Sequence, residues 1–329
     1  MLNRVQIKEY RCLREVDVPL KPLTVLIGPN NTGKSAFLSA IRLLGMAPSQ
    51  GHGQLKVASP DLWQFERATS PKIVGYTDAG SELMVERGPA QQPIAQRSHW
   101  ELTGDNSISP VNLFNSEVLQ PAMESIGTEA KSGIPQIDDN ASNVPTYLDV
   151  LLRKDRDRFF RVLANLRELI PGLVDLNIET PQAGSRRIDL KLESGLVMEA
   201  KHASYGVKLM IFFVALANHP EPPRTVLLEE PETGVHPKRL EDIVSLLIGL
   251  TEGKFADRPT QVILTTHSPY LLDCIDPEKH QVLVMQRELD GACAAHPVDT
   301  KRLKLFMDEF MLGEIWLNQD ESGLLQKVS

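Results

Sequence analysis

Hydrophobic and polar positions alternate along the first 27 residues. Val5 and Ile7, then Leu13, Val16, Val18 and Leu20, are separated by charged or polar residues, a period of two that predicts half-buried antiparallel strands. The run Leu23-Thr24-Val25-Leu26-Ile27 lacks that alternation and fits a strand covered on both faces. Residues 28–35 break into a turn. Over Ser35–Leu44, Ala36, Phe37, Ala40, Ile41 and Leu44 fall at helical spacing. Strands are expected again at 72–76 and 82–86, joined by Asp78-Ala79-Gly80, and at His99–Leu102.

Residues 104–146 are rich in Asn, Ser, Gly, Pro and Asp, and read as loops with one or two short helices. From Pro145 to Ile170, apolar residues from Leu148 to Leu166 predict one helix, stopped by Pro171-Gly172. Strands follow at Val174–Ile178, Ile188–Leu192 and Leu196–Glu199. Beyond them come a helix over 204–218, a strand at Val226–Leu228 and a helix over 237–250. The chain closes with strand Val262–Thr265, a short helix after Pro269, strand Gln281–Gln286 and helix Thr300–Met311. Alternating strands and helices imply crossover connections and a mainly parallel sheet. The expected fold class is α/β, with a mainly parallel core sheet, an antiparallel N-terminal β subdomain and a helical insertion. One domain over 1–329 is expected, with an N-terminal lobe at 1–103, the insertion at 104–185 and a C-terminal lobe at 186–329.

Composition narrows the classes. The 329 residues suit about two domains, or one larger α/β domain. At 42% hydrophobic and 24% charged, the chain has material for a sizeable core and too much for a disordered protein. A net charge of −8 argues against a generic nucleic-acid coat or a polybasic membrane binder, so any nucleic-acid contact is a local patch. Cys12, Cys274 and Cys293 form no CxxC pair, which disfavours a disulfide framework or a structural zinc site. The longest apolar run, Leu209–Ala217, is far short of the about 20 residues of a membrane-spanning helix. The N-terminus alternates like a strand and does not resemble a signal peptide, so a cytoplasmic protein without membrane contact is expected.

Gly28-Pro29-Asn30-Asn31-Thr32-Gly33-Lys34-Ser35 matches G-x-x-x-x-G-K-[ST] at every fixed position. The glycines allow a tight loop whose N–H groups face phosphate oxygens, and the helix beginning near Ala36 presents its positive end to the same anion. Lys34 is expected on the β and γ phosphates, and the Ser35 hydroxyl on Mg2+. The bound species would be a nucleoside triphosphate. Glu229 and Glu230 end the apolar strand after Thr225, and ligands of open α/β sheets bind at such carboxyl ends. Because neighbouring strand residues face opposite sides, Glu229 is assigned to magnesium through water and Glu230 to polarising the attacking water. His267, after Val262–Thr266, is expected to hydrogen-bond the γ-phosphate or that water. His236 reads equally as structural.

With these motifs in place, the chain resembles the OLD/RecF-like branch of ABC-class ATPases, the stand-alone bacterial AAA-type ATPases of phage-defence systems. The resemblance rests on four ordered phrases: Lys8-Glu9-Tyr10-Arg11-Cys12-Leu13, Gly28–Ser35, Glu229-Glu230-Pro231-Glu232-Thr233-Gly234-Val235-His236-Pro237 and Thr265-Thr266-His267-Ser268-Pro269. It implies a signature motif acting on the nucleotide of a second subunit. Ser204 and Gly206 in Ala203-Ser204-Tyr205-Gly206-Val207-Lys208 are the candidates, with Ala203 and Tyr205 standing where leucine and aspartate are usual; a plain helix cap is the alternative. Arg11 resembles the family's N-terminal arginine near the nucleotide, or is a surface residue. Gln64 is a Q-loop glutamine or a surface one.

The resemblance also implies a homodimer or higher oligomer through the ATP sites and an effector partner, a nuclease or toxin, in anti-phage defence. A RecF-like DNA-repair ATPase and a nucleotide-gated scaffold with little hydrolysis are the alternatives. No heptads appear between Ser35 and Glu229 for a coiled-coil arm. The 62 residues after His267 are too few for the Toprim nuclease domain of OLD enzymes, so nuclease chemistry is expected in a partner chain. Arg153, Lys154, Arg156, Arg158, Arg161 and Arg167 form the most basic segment, read as a solvated helix face, a DNA-phosphate contact or a docking face.

Overall fold

A computed structural model describes residues 1–45, 54–57, 71–78, 80, 82–87, 98–104, 130–131, 137–138, 141–220, 222–255, 258–307 and 310–325. Gln64 and much of the loop-rich stretch expected at 104–146 lie outside the described residues. The N-terminal elements are β1 (Leu2–Tyr10), β2 (Leu13–Pro19), β3 (Leu23–Ile27), α1 (Lys34–Gly45), β4 (Gln54–Val57), β5 (Lys72–Thr77), β6 (Glu82–Arg87) and β7 (Ser98–Gly104). Then come β8 (Ala130–Lys131), α2 (Val144–Lys154), α3 (Arg156–Leu169), β9 (Leu173–Glu179), β10 (Ser185–Leu192), β11 (Val197–Glu199) and α4 (Tyr205–Ala217). The remainder are β12 (Thr225–Glu229), α5 (Leu240–Thr251), β13 (Gln261–Thr265), α6 (Pro269–Asp273), β14 (Gln281–Arg287), β15 (Cys293–Pro297), α7 (Thr300–Met307) and α8 (Leu312–Leu324).

Two compact units divide the chain. The first joins Met1–Val118, Arg224–Glu230 and Gln261–Ser329; the second joins Leu119–Pro223 and Pro231–Thr260. Among the described residues the first unit carries one sheet in the order β12-β13-β3-β14-β15-β2-β1-β5-β6-β7-β4. Its strands β12, β13, β3 and β14 are parallel. The neighbouring β14–β15 pair is antiparallel, and so are β2, β1, β5, β6, β7 and β4 in turn. The expected parallel core and antiparallel β subdomain are thus parts of one α/β sheet. Every residue of β3 and β13 is buried, which is why their runs lack alternation. Helix α1 buries Phe37, Leu38, Ile41 and Leu44 in the same core as Val5, Ile7, Leu13 and Leu26. Fully buried Gln261 also ties β13 to the main chain of Leu2, accepting from its N–H at 3.0 Å and donating to its carbonyl at 2.7 Å.

In the second unit, β9, β10 and β11 pair antiparallel and β8 joins the other end of β10. Helix α4 buries every residue from Leu209 to Ala217. The single helix expected over Pro145–Ile170 is corrected to two. Asp155 leaves helical geometry and its carboxylate accepts from the Arg158 N–H at 3.1 Å, so it caps a second helix. The helix expected at 237–250 begins as a 3₁₀ turn, Pro237–Arg239. The last expected helix ends at Met307, and α8 follows as a separate element. Among the described residues no helix is long and apolar enough to cross a membrane.

Candidate nucleotide site

The carboxyl ends of three neighbouring strands build the site. Register pairs Glu229 with Thr265 and Thr265 with Leu26, so β12, β13 and β3 end at one level. The phosphate loop follows β3 there, and its backbone takes positive φ at Gly28 (140°), Asn31 (62°) and Gly33 (89°). Thr32 fastens the loop by donating from its hydroxyl to the Pro29 carbonyl at 2.8 Å. Lys34 is 7% exposed and its Nζ donates to the Gly28 and Pro29 carbonyls, each at 2.8 Å. The ammonium therefore lies across the mouth of the loop. Pro29, Asn30 and Asn31 are exposed on the rim, Gly33 is half-buried, and Ala36 packs inward on α1.

Ser35, at the start of α1, donates its hydroxyl directly to the Glu229 carboxylate. That contact puts a hydroxyl oxygen and a carboxylate oxygen side by side, as two ligands of one hard cation must be. Magnesium binds through one or two protein oxygens, with waters and phosphate oxygens completing six. The donor set fits, a hydroxyl and a carboxylate oxygen being the hard ligands that magnesium takes. Glu230 lies just past β12 in the left-handed region, φ 45°, and its N–H is shared by the Thr265 carbonyl and hydroxyl, both at 3.1 Å. Its carboxylate is 3.6 Å from His267 Nε2.

The loop, Glu229, Glu230 and His267 are therefore brought together at one sheet edge. Arg11 occupies the turn between β1 and β2 with φ 53°, its guanidinium over the Tyr10 ring at 5.5 Å. In the second unit, Ser204 caps α4, accepting from the Val207 N–H at 3.4 Å. Gly206 stands near the Gly234 carbonyl, and the Tyr205 ring packs on Gly234. His236 is structural: its Nδ1 accepts from Lys238 N–H at 3.3 Å and caps the 3₁₀ turn. Much of the basic segment is structural too. Arg153 pairs with Asp149, while Arg158 and Arg167 donate to the Asn218 and Val174 carbonyls. Arg156 and Arg161 are exposed. Thr265, to which no motif named above assigns a role, holds Glu230; its signal in the sequence is a hydroxyl residue ending the strand beside the acidic one.

The family profile described as "AAA domain, putative AbiEii toxin, Type IV TA system" matches residues 90–273, and one described as "AAA ATPase domain" matches residues 1–72. Over 44 residues the chain is 52% identical to an OLD nuclease of Thermus scotoductus, a segment that is 13% of this chain and 8% of the nuclease. The chain thus spans only a small part of that curated relative. Its fold is similar to an Smc head bound to the C-winged helix domain of ScpA, with a TM-score of 0.63 at 15% identity over 92% of this chain and 99% of the other. A second Smc head, with an extended coiled coil and bound to the C-terminal domain of ScpA derived from Pyrococcus furiosus, gives 0.60 at 13% identity, over 94% and 98%.

Proposed function

The chain belongs to the AAA-domain family matched over residues 90–273, as an OLD/RecF-like P-loop ATPase of the ABC class, and on that footing we propose that it hydrolyses Mg-ATP to ADP and phosphate as a molecular switch. One observation carries the proposal: adjacent carboxylates diverge at the sheet edge, Glu229 to Ser35 of the phosphate loop and Glu230 towards His267. In this reading the loop N–H groups and Lys34 bind the phosphates, while Ser35 and Glu229 hold magnesium. The metal would supply charge neutralisation between the phosphates. Glu230 polarises the attacking water, and His267 orients that water or the γ-phosphate. Phosphoryl transfer asks mainly for positioning and charge stabilisation, which such a frame supplies.

Arg11 is assigned to the nucleotide's surroundings, and Ser204 and Gly206 to the γ-phosphate held by a second copy, so the working form is a dimer. Its ATP-dependent closure would control a separate effector, a nuclease or toxin, in anti-phage defence. A scaffold with little hydrolysis is favoured by one observation, the Tyr205 ring packed on Gly234 where the family usually has aspartate. Any DNA contact falls to the exposed Lys154, Arg156 and Arg161 of the Arg153–Arg167 segment.

The test is Glu230→Gln. It should bind ATP as the parent does, accumulate dimer, and lose about 10²–10⁴-fold in turnover, the usual worth of a general base. Undiminished phosphate release would remove Glu230 from its role. Phosphate release already negligible in the parent would favour the scaffold.

A further inference from the structure

Cys12 and Cys293 take no part in the proposed reaction, yet they meet directly under the phosphate loop. Cys12 lies in the two-residue turn bounded by the Tyr10–Leu13 pair of β1 and β2. Cys293 opens β15 opposite Leu13, and its N–H donates to the Cys12 carbonyl at 2.7 Å. Both side chains approach Gly33, which makes the two thiols neighbours. Neighbouring strands lie about 4.7–4.9 Å apart, inside the roughly 4.4–6.8 Å of α-carbon separation that disulfides span.

The loop rests on this pair. A Cβ built on Gly33 would stand 3.0 Å from Cys12 Sγ and 3.1 Å from Cys293 Cβ. The Cys293 thiol donates to the Asn31 carbonyl at 3.7 Å. Asn31 and Gly33 are two of the loop's positive-φ residues, so the sulfurs touch the backbone that aims the loop's N–H groups.

The two thiols differ in kind. Cys12 is half-buried and Cys293 buried. The neighbouring Cys293 side chain, helped by a main-chain hydrogen bond and the charges of Arg11 and Arg287, pulls the Cys12 thiol down to about 7 against the effect of burial. The neighbouring Cys12 thiol and burial both push Cys293 up. Cys12 is thus the nucleophile and Cys293 the proton-bearing partner, the division that thiol oxidation uses.

We propose that Cys12 and Cys293 are an oxidisable pair that closes to a disulfide under peroxide and thereby weakens nucleotide binding by the phosphate loop. Cys12 gives up its proton and the thiolate attacks one peroxide oxygen, forming an S–O bond as the O–O bond breaks; the hydroxide that leaves takes up that proton as water. Cys293 then attacks the Cys12 sulfur; the S–O bond breaks, and the Cys293 proton leaves with the departing oxygen as water. Two thiols and one hydrogen peroxide become one disulfide and two waters, with two electrons passing to peroxide. In the closed form Cys293 has no proton for the Asn31 carbonyl, and the sulfurs have moved together beneath Gly33. The effect on binding rests on the proposed ATP site; the disulfide itself does not.

The test uses the full chain, reduced or treated with hydrogen peroxide. Peptide mass spectrometry should find Cys12 linked to Cys293, and affinity for a fluorescent ATP analogue should fall roughly tenfold and return with dithiothreitol. Cys12→Ser and Cys293→Ser should abolish the response, and Cys274→Ser should keep it. No linkage, a linkage through Cys274, oxidation of Cys12 only to sulfinic acid, or linkage with unchanged affinity would each overturn the proposal. If the reduced chain fails to bind the analogue, the ATP reading fails instead. Hydrogen exchange over residues 28–35 then decides: faster in the oxidised form supports the pair, and identical exchange overturns it.

Discussion

Replacing Gly28 by alanine tests the loop where the structure leaves it least room. Gly28 has φ 140°, and a Cβ built there would lie 2.3 Å from the Met285 carbonyl oxygen, 3.2 Å from its carbon and 3.2 Å from Thr32 Oγ1. Non-bonded heavy atoms rest at about 3.5–4.0 Å, so the overlap exceeds about 1 Å. It falls on main chain of β14, paired on one side by β3 and on the other by β15, and no side-chain rotation relieves it. A strained alanine backbone costs about 1–3 kcal/mol, and overpacking about as much again. The total is about 2–6 kcal/mol. Strain kept in the fold lowers the melting temperature by several degrees. Strain relieved by moving the loop disturbs the carbonyl that Lys34 holds, and each ~1.4 kcal/mol lost from binding is tenfold in Kd. Thermal melting and nucleotide titration on one preparation measure both channels. Gly195→Ala, with φ 81° but open space around it, is the control and should lose about 1 kcal/mol of stability with binding unchanged. A Gly28→Ala chain with parental melting and parental affinity would refute the reasoning.

Other predictions separate structural from functional roles. Ser204→Ala should cost about 1 kcal/mol by uncapping α4, and Ser204→Asp should restore that stability. If Ser204 also serves a second copy's nucleotide, the aspartate chain stays slow in phosphate release despite its recovered melting temperature; equal recovery of both leaves Ser204 a cap. Burial alone would raise the Asp149 carboxyl, but hydrogen bonds from Arg186 and Arg153 hold it below the usual carboxylate value. With a folded value below the unfolded one, this carboxylate stabilises above about pH 4 and loses that contribution as pH falls through its depressed value. Asp149→Asn should therefore show a shallower acid fall in melting temperature than the parent, and parallel curves would count against the ion pair.

The parallel core was legible because burial on both faces leaves a mark in sequence. Leu23–Ile27 and Gln261–Thr265 carry almost no alternation, and both prove fully buried. The phosphate loop was legible because its glycines, lysine and serine are local in sequence, Glu229 because it ends such an apolar strand and His267 because it stands just past another. The break at Asp155 was not, since apolar positions continue on either side and only the aspartate's cap interrupts them. Strand β15 was missed because Cys-Ala-Ala-His-Pro has neither alternation nor bulk, and α8 because polar residues fill most of its second half. The meeting of Cys12 with Cys293 had no local signal: it follows from β2 and β15 lying side by side in the sheet order.

The divergence of Glu229 and Glu230 has a different origin from the one their spacing suggested. Alternation along a strand would send neighbours to opposite faces, but β12 ends at Glu229, so Glu230 lies beyond the pleat. What separates them is a left-handed backbone at Glu230, φ 45°, a conformation costing about 1–3 kcal/mol for a residue with a side chain. The Glu230 N–H, shared between the two Thr265 acceptors, offsets part of that cost, one hydrogen bond contributing roughly 0.5–1.5 kcal/mol. Register then matters more than any one side chain. Thr265 reaches Glu230 because Glu229 and Thr265 are level, and Thr265 is level in turn with Leu26, two residues before the loop begins at Gly28. A slip of one residue in either pairing would turn the hydroxyl away and leave the strained glutamate with less to hold it.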